Sequence, residues 1–149
     1  MHIKQQIHGH FIDTINNKIL MLQKTLADLK ESGSNETKST AGDKHETALA
    51  MLQIEQANIR VQLQDALEQR SALLTINSDI ITVKILPGSY VKTNKGNFYI
   101  SVALGKLSIN GETIMAISPQ SPLGAKLIGT CVGDTVTINS NAFLVVNIE

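Results

Sequence analysis

A single cysteine, Cys131, means that no internal disulfide can staple this chain, and such cysteine usage fits a reducing compartment. Cys131 stands between Thr130 and Val132 with no second thiol, so it reads as a small apolar side chain and not as a reactive group. Tryptophan is absent, and three Phe and two Tyr are the whole aromatic complement. Neither sign of charge is in excess: 13 Lys and Arg balance 13 Asp and Glu. A protein that holds DNA or RNA by itself through counterion release carries a basic surplus, so nucleic acid here must come with a partner. No apolar run approaches the ~20 residues of a membrane span, and no basic-then-apolar leader opens the sequence; the expectation is a cytoplasmic protein. What is present is 42% hydrophobic residues in 149, enough for a core in one ordinary domain or two small ones.

The apolar spacing divides the chain into two halves. Ile12, Ile15, Ile19, Leu22, Leu26 and Leu29 alternate threes and fours, the seam of a coiled coil, and predict a long helix from near Ile3 to Glu31. Leu49, Leu52, Gln56, Ile59, Leu63, Ala66, Arg70 and Leu73 keep the same alternation in a second helix of matching length, with Gln56 and Arg70 as polar, register-setting interruptions. Between them "SGSNETKSTAG", residues 32–42, is nearly free of apolar side chains and has glycine near both ends, so it reads as a reversal. Two matched helices so joined pack antiparallel, with one thin seam that suits reach better than enclosure.

After Asn77-Ser78-Asp79 the period becomes strand-like. "IITVKIL" (80–86) is β-branched, "NFYISVA" (97–103) alternates, and "LSINGETIMAI" (107–117) sets Asn110-Gly111 between two apolar arms, a strong hairpin signal. "TVTIN" and "AFLVVNI" repeat the pattern about Ser140-Asn141. In "SPLGAKLIG", Ser121 stands as N-cap, Pro122 at the first helical position and Gly129 just past the end of a short helix. The predicted fold class is α+β: an antiparallel helical coiled-coil hairpin over residues 1–76, then a small antiparallel sheet domain with one short helix over 77–149.

Asp43 and Glu46 lie three apart where the second helix begins, so their side chains share one face. Two readings are open on spacing alone. The pair can form a capping box, worth ~1 kcal/mol, or it can serve as two oxygen ligands of a cation. Mg²⁺ wants six oxygens in octahedral geometry, so two solvated carboxylates hold it weakly without outside help. His2, His8 and His10 do not assemble a metal site, because residues two apart on a helix do not face each other. Glu36 reads as a solvated loop residue, and Lys84, Lys92 and Lys95 as surface charges.

Across most of its length the sequence resembles the Gre family of bacterial transcript-cleavage factors, GreA and GreB. The resemblance rests on "GSYV" at 88–91, "ISPQSPLGAKLIG" at 117–129, "VGDTV" at 132–136, and Gly-Asp-x-x-Glu at 42–46, the family's tip motif. It implies an N-terminal coiled-coil finger with its tip at about 32–46 and an FKBP-like C-terminal domain. It further implies a monomeric elongation factor that is not itself an enzyme: it binds RNA polymerase at the β′ rim and puts its tip in the secondary channel. There it stimulates the polymerase to cut backtracked nascent RNA, the RNA 3′ end and DNA template being met only through the elongation complex. On this resemblance Asp43 and Glu46 are the catalytic and metal-binding pair, sharing Mg²⁺ with the polymerase and holding none tightly alone. Lys38, Lys44 and Arg60 are the basic residues nearest the RNA, and Ser118, Pro119, Ser121, Pro122, Leu123 and Gly124 form a docking segment. The sequence departs from the family after Glu46, where Thr47-Ala48-Leu49-Ala50 replaces Asn-Ala-Glu-Tyr, and in its sparse tip basicity. A channel-binding regulator without cleavage is therefore the alternative. An FKBP-like prolyl isomerase is a further one, set against the scarcity of aromatics for its pocket.

Overall fold

The computed structural model describes residues 3–36 and 42–149, and their side chains except those of residues 35, 36 and 42–45. Two long helices, α1 (Ile3–Glu36) and α2 (Gly42–Leu74), precede six strands: β1 (Tyr90–Thr93), β2 (Gly96–Ile100), β3 (Gly105–Ile109), β4 (Glu112–Ile117), β5 (Thr135–Ile138) and β6 (Asn141–Ile148). A short helix, α3 (Pro122–Leu127), lies between β4 and β5, which makes the fold α+β. Packing divides the chain into two compact units: residues up to Thr14 with Gln69–Glu149, and Ile15–Glu68.

In the unit Ile15–Glu68 the seam is the one that the 3–4 spacing predicts. Ile15, Ile19, Leu22 and Ala66 are buried. Leu26, Leu29, Leu49, Leu52, Gln56, Ile59 and Leu63 are half-covered, and most positions between them face water. The helices run antiparallel: the Gln56 amide reaches the Leu29 carbonyl, and Thr25 and Leu29 share a groove with Glu55, Asn58, Ile59 and Gln62. The predicted reversal at 32–42 is corrected here, because α1 continues through Ser32 and Gly33 to Glu36. Gly33 lies one turn beyond Leu29 and is buried against Gln56, so helix pairing overrides the local breakers.

In the other unit the strand order is β3-β4-β2-β1-β6-β5. Four of the five neighbouring pairs are antiparallel, as expected, but β2 and β4 run parallel, so the sheet is mixed. The cause is the β3–β4 hairpin, which returns between its own first arm and β2. The Asn110-Gly111 turn is present, with φ of 51° and 77°, and the second turn falls one residue earlier than expected, at Asn139 and Ser140 with 49° and 69°, because Asn141 already opens β6; both show the paired positive values that tight hairpins demand. One sheet face builds a core from Val91, Phe98, Ile100, Ile117, Val136, Val145 and Ile148, with Ile85 and with Leu127 of α3. Tyr99, on the opposite side of the pleat from Phe98, instead meets α1: its ring stacks on Phe11 at 6.2 Å, and its hydroxyl is 2.7 Å from His8 Nδ1.

The expected strand 80–86 does not form. Only Ile85 is buried there, exchanging backbone hydrogen bonds with Gly129 and Thr130, while Ile81 and Val83 are 67% and 81% exposed. The chain bends at 83–84 and enters the Pro87-Gly88 turn, where Gly88 has φ 95° and a Cβ would stand 2.8 Å from Ile76 Cγ2. β-Branched residues favour a strand only where neighbours complete the ladder. The first strand is instead β1, hairpinned to β2 through Asn94 and Lys95.

Candidate functional site

Gly42, Asp43 and Glu46 all belong to the first turns of α2. Glu46 is exposed, and the Asp43 side chain lies outside the described ones. Acidic residues in this position complement the positive end of the helix dipole, a contribution of about 0.3–1 kcal/mol, so no tertiary contact is needed to keep Glu46 there. Among the described residues no group of three or more His, Cys, Asp or Glu is gathered that could hold a metal ion.

Of the candidate basic residues, only Arg60 has a described side chain. Lys38 is outside the described residues, and so is the side chain of Lys44. Arg60 lies on α2, 14 residues from Glu46 and thus about 21 Å along the helix at 1.5 Å per residue. It is exposed, and its Nη2 stands 3.4 Å from Gln56 Oε1.

The segment Ser118–Gly124 is a locked turn leading into α3. Ser121 Oγ donates to the Ser118 carbonyl at 2.7 Å and accepts from the Gly124 amide at 3.0 Å, acting as the N-cap that its position in the sequence suggested. The Ser118 hydroxyl donates to Gln120 Oε1 at 2.6 Å and accepts from the Gln120 amide at 2.9 Å. Gly124 is buried, and a Cβ there would lie 2.1 Å from the Ser118 carbonyl oxygen. Ser121 and Gly124 therefore define the turn. Pro122 faces solvent and Pro119 is half-exposed, so these two are presented by it, whereas Leu123 is partly buried against the core.

The five aromatic residues are used in packing. Phe98 meets Phe143 edge-on at 6.1 Å, Phe11 stacks on Tyr99, and Tyr90 is 1% exposed with its hydroxyl donating to Glu112 Oε2 at 2.9 Å. Burial, followed by the Glu112 hydrogen bond, pushes the Tyr90 phenol well above its usual range. Burial alone does the same to Tyr99 and holds the His8 imidazole below its ordinary 6.5, and the tautomer of that ring sets which of the two groups donates in their hydrogen bond. At the start of α1, the buried Lys4 ammonium donates to the Ile80 carbonyl; desolvation lowers its pKa, opposed by Glu149 and Asp79.

Sequence reasoning singled out neither Lys4 nor the pairing of His8 with Tyr99. His8 was visible only as one of three early histidines, and the signal that it lies on a buried face is its spacing with Lys4, Ile7 and Phe11. Nor is any described helix long and apolar enough to cross a membrane.

No family model matches the chain. No curated protein matches it either. Among solved structures, that of the transcription factor Gfh1 is similar over 92% of this chain and 92% of that chain, at 18% identity and a TM-score of 0.35.

Proposed function

We propose that this chain is a Gre-type transcription factor that binds RNA polymerase through its β-sheet unit and places the turn of its helical hairpin in the secondary channel. The observation that carries the reading is the antiparallel hairpin whose second helix opens on Gly42-Asp43-x-x-Glu46, with Glu46 exposed. A seam one helix-pair thick encloses no substrate, but it can carry two carboxylates into a site that another protein builds.

Asp43 and Glu46 offer hard oxygen donors of the kind that Mg²⁺ prefers, but too few to complete its shell. The polymerase would supply the rest of that shell, and an ion retained by Asp43 and Glu46 beside one that the polymerase holds would give the two-metal stabilisation of an in-line displacement at phosphorus. The chain's own part is to orient the attacking water and hold negative charge where the ion is retained. It lends ligands to the polymerase and is not itself the hydrolase. The segment Ser118–Gly124 is the docking candidate on the sheet unit, with Pro119 and Pro122 the side chains open to a partner.

A second reading is a channel-binding regulator that does not promote cleavage. It is favoured by the position of Arg60, about 21 Å along α2 from Glu46 and so too far to steer RNA at the turn. RNA cleavage in a stalled, backtracked elongation complex decides between the two, comparing this protein with its Asp43→Ala/Glu46→Ala variant while binding is followed in parallel. Fragments that appear only with the unaltered protein, at equal binding, support the cleavage reading. Equal binding with no fragments from either protein leaves the regulator.

A further inference from the structure

Within the unit Ile15–Glu68, the apolar contacts between α1 and α2 are too regular to fix an alignment by themselves. Ile15, Ile19, Leu22, Leu26 and Leu29 on α1 and Ile59, Leu63 and Ala66 on α2 line this seam, and sliding one helix by a heptad again sets apolar residues against apolar ones. Gln56 breaks this degeneracy. Its Nε2 donates to the Leu29 carbonyl at 3.2 Å, and its Oε1 faces Arg60 Nη2 at 3.4 Å.

The Leu29 carbonyl already serves as a helical acceptor, and its second lone pair is open to Gln56 because the residue one turn on is Gly33. An atom in the Cβ position of Gly33 would lie 3.5 Å from Gln56 Nε2, so any longer side chain would occupy the space of the amide. Seen from the other seam carbonyls, the residue one turn on is Ile19, Gln23, Leu26 or Lys30, each with a side chain over the approach. Displaced by a heptad, Gln56 would meet a covered carbonyl and lose its partner.

We propose that Gln56 and Gly33 form a register lock, and that Gln56 is a positioning residue setting where α2 begins relative to α1, and hence where Asp43 and Glu46 are presented. The functional half of this inference rests on the cleavage reading above; the geometric half does not.

The test uses the full-length protein with Cys131→Ala, spin-labelled at Lys24→Cys and Gln64→Cys, both exposed and on opposite helices. Gln56→Leu makes the seam uniformly apolar, and Gln56→Glu keeps the shape but replaces the donor with an acceptor. The unaltered lock gives one label–label distance. Both variants give a second or broadened population, displaced by roughly 3–5 Å, because the two labels are nearly level and a heptad slide of about 10 Å adds at right angles to their separation. Gln56→Leu does so with an unchanged or higher thermal midpoint, which simple loss of structure would not produce. In the backtracked complex both variants cut at least tenfold more slowly at unchanged polymerase binding, since misplacement by an ångström can cost about a hundredfold. A single unshifted distance in both variants overturns the lock. Shifted distances with no cleavage by any form, the unaltered protein included, leave the lock standing and remove the cleavage reading.

Discussion

Replacing Gly124 with alanine tests the locked turn most sharply. The new Cβ would meet the Ser118 carbonyl oxygen at 2.1 Å, Ser121 Oγ at 2.8 Å and the Ser118 carbonyl carbon at 3.0 Å. That carbonyl cannot swing away freely, because it accepts from both the Ser121 amide at 3.1 Å and the Ser121 hydroxyl at 2.7 Å. Relief must come from moving the turn by about an ångström. Overpacking of this kind costs about 1–3 kcal/mol, and the displaced Ser121 cap about 1 kcal/mol more. Alanine returns up to about 1 kcal/mol of helix propensity, so the net loss is about 2 kcal/mol. In a chain of this size that lowers the thermal midpoint by roughly 4–8 °C. Gly9→Ala is the matched control: Gly9 is exposed within α1 with nothing within 4 Å of the added atom, and its gain is up to about 1 kcal/mol. Thermal unfolding followed by circular dichroism reads both variants. A Gly124→Ala protein as stable as its parent would refute the packing account and return the whole segment to the pool of purely docking residues.

Three further predictions concern the sheet unit. His8 is held below 6.5 by burial, so its neutral form is favoured when folded; that stability is fully present above pH 6.5 and is lost as the pH falls from 6.5 through the lower folded value. Urea midpoints at pH 8 and pH 5 should therefore differ more for the parent than for His8→Gln, and equal differences would rule out His8 as a source of acid sensitivity. Lys92 and Glu112 pair at 3.7 Å with side chains 36% and 44% exposed, so Lys92→Ala should change stability by no more than about 0.5 kcal/mol. Glu112→Ala strips the buried Tyr90 hydroxyl of its acceptor and should cost about 1 kcal/mol or more, whereas Glu112→Gln, which keeps an acceptor oxygen, should recover most of it in the same urea titration.

The features legible in the sequence are those fixed within a few residues. The 3–4 spacing gave both helices and most of their buried stripe, because helix periodicity needs only the chain itself. Asn110-Gly111 and the turn at Ser140 were legible because positive φ restricts which residues can stand there, and Ser121-Pro122 because a cap acts over three residues. The acidic start of α2 was likewise visible, though spacing alone left capping and ligation side by side.

The rest depended on partners distant in sequence. Residues 80–86 carry strand propensity but had no ladder to join, and their place was set by Gly129 and Thr130, more than 40 residues on. Gly33 reads as a helix breaker until Gln56 is laid against it. The parallel pairing of β2 with β4 follows from the side on which a hairpin returns, and His8 became half-buried only when Tyr99 was placed beneath it. Sequence by itself determined backbone conformation and periodicity, which are local free energies. Tertiary structure alone decided which edges, carbonyls and side chains found partners, because those energies exist only once distant segments have met.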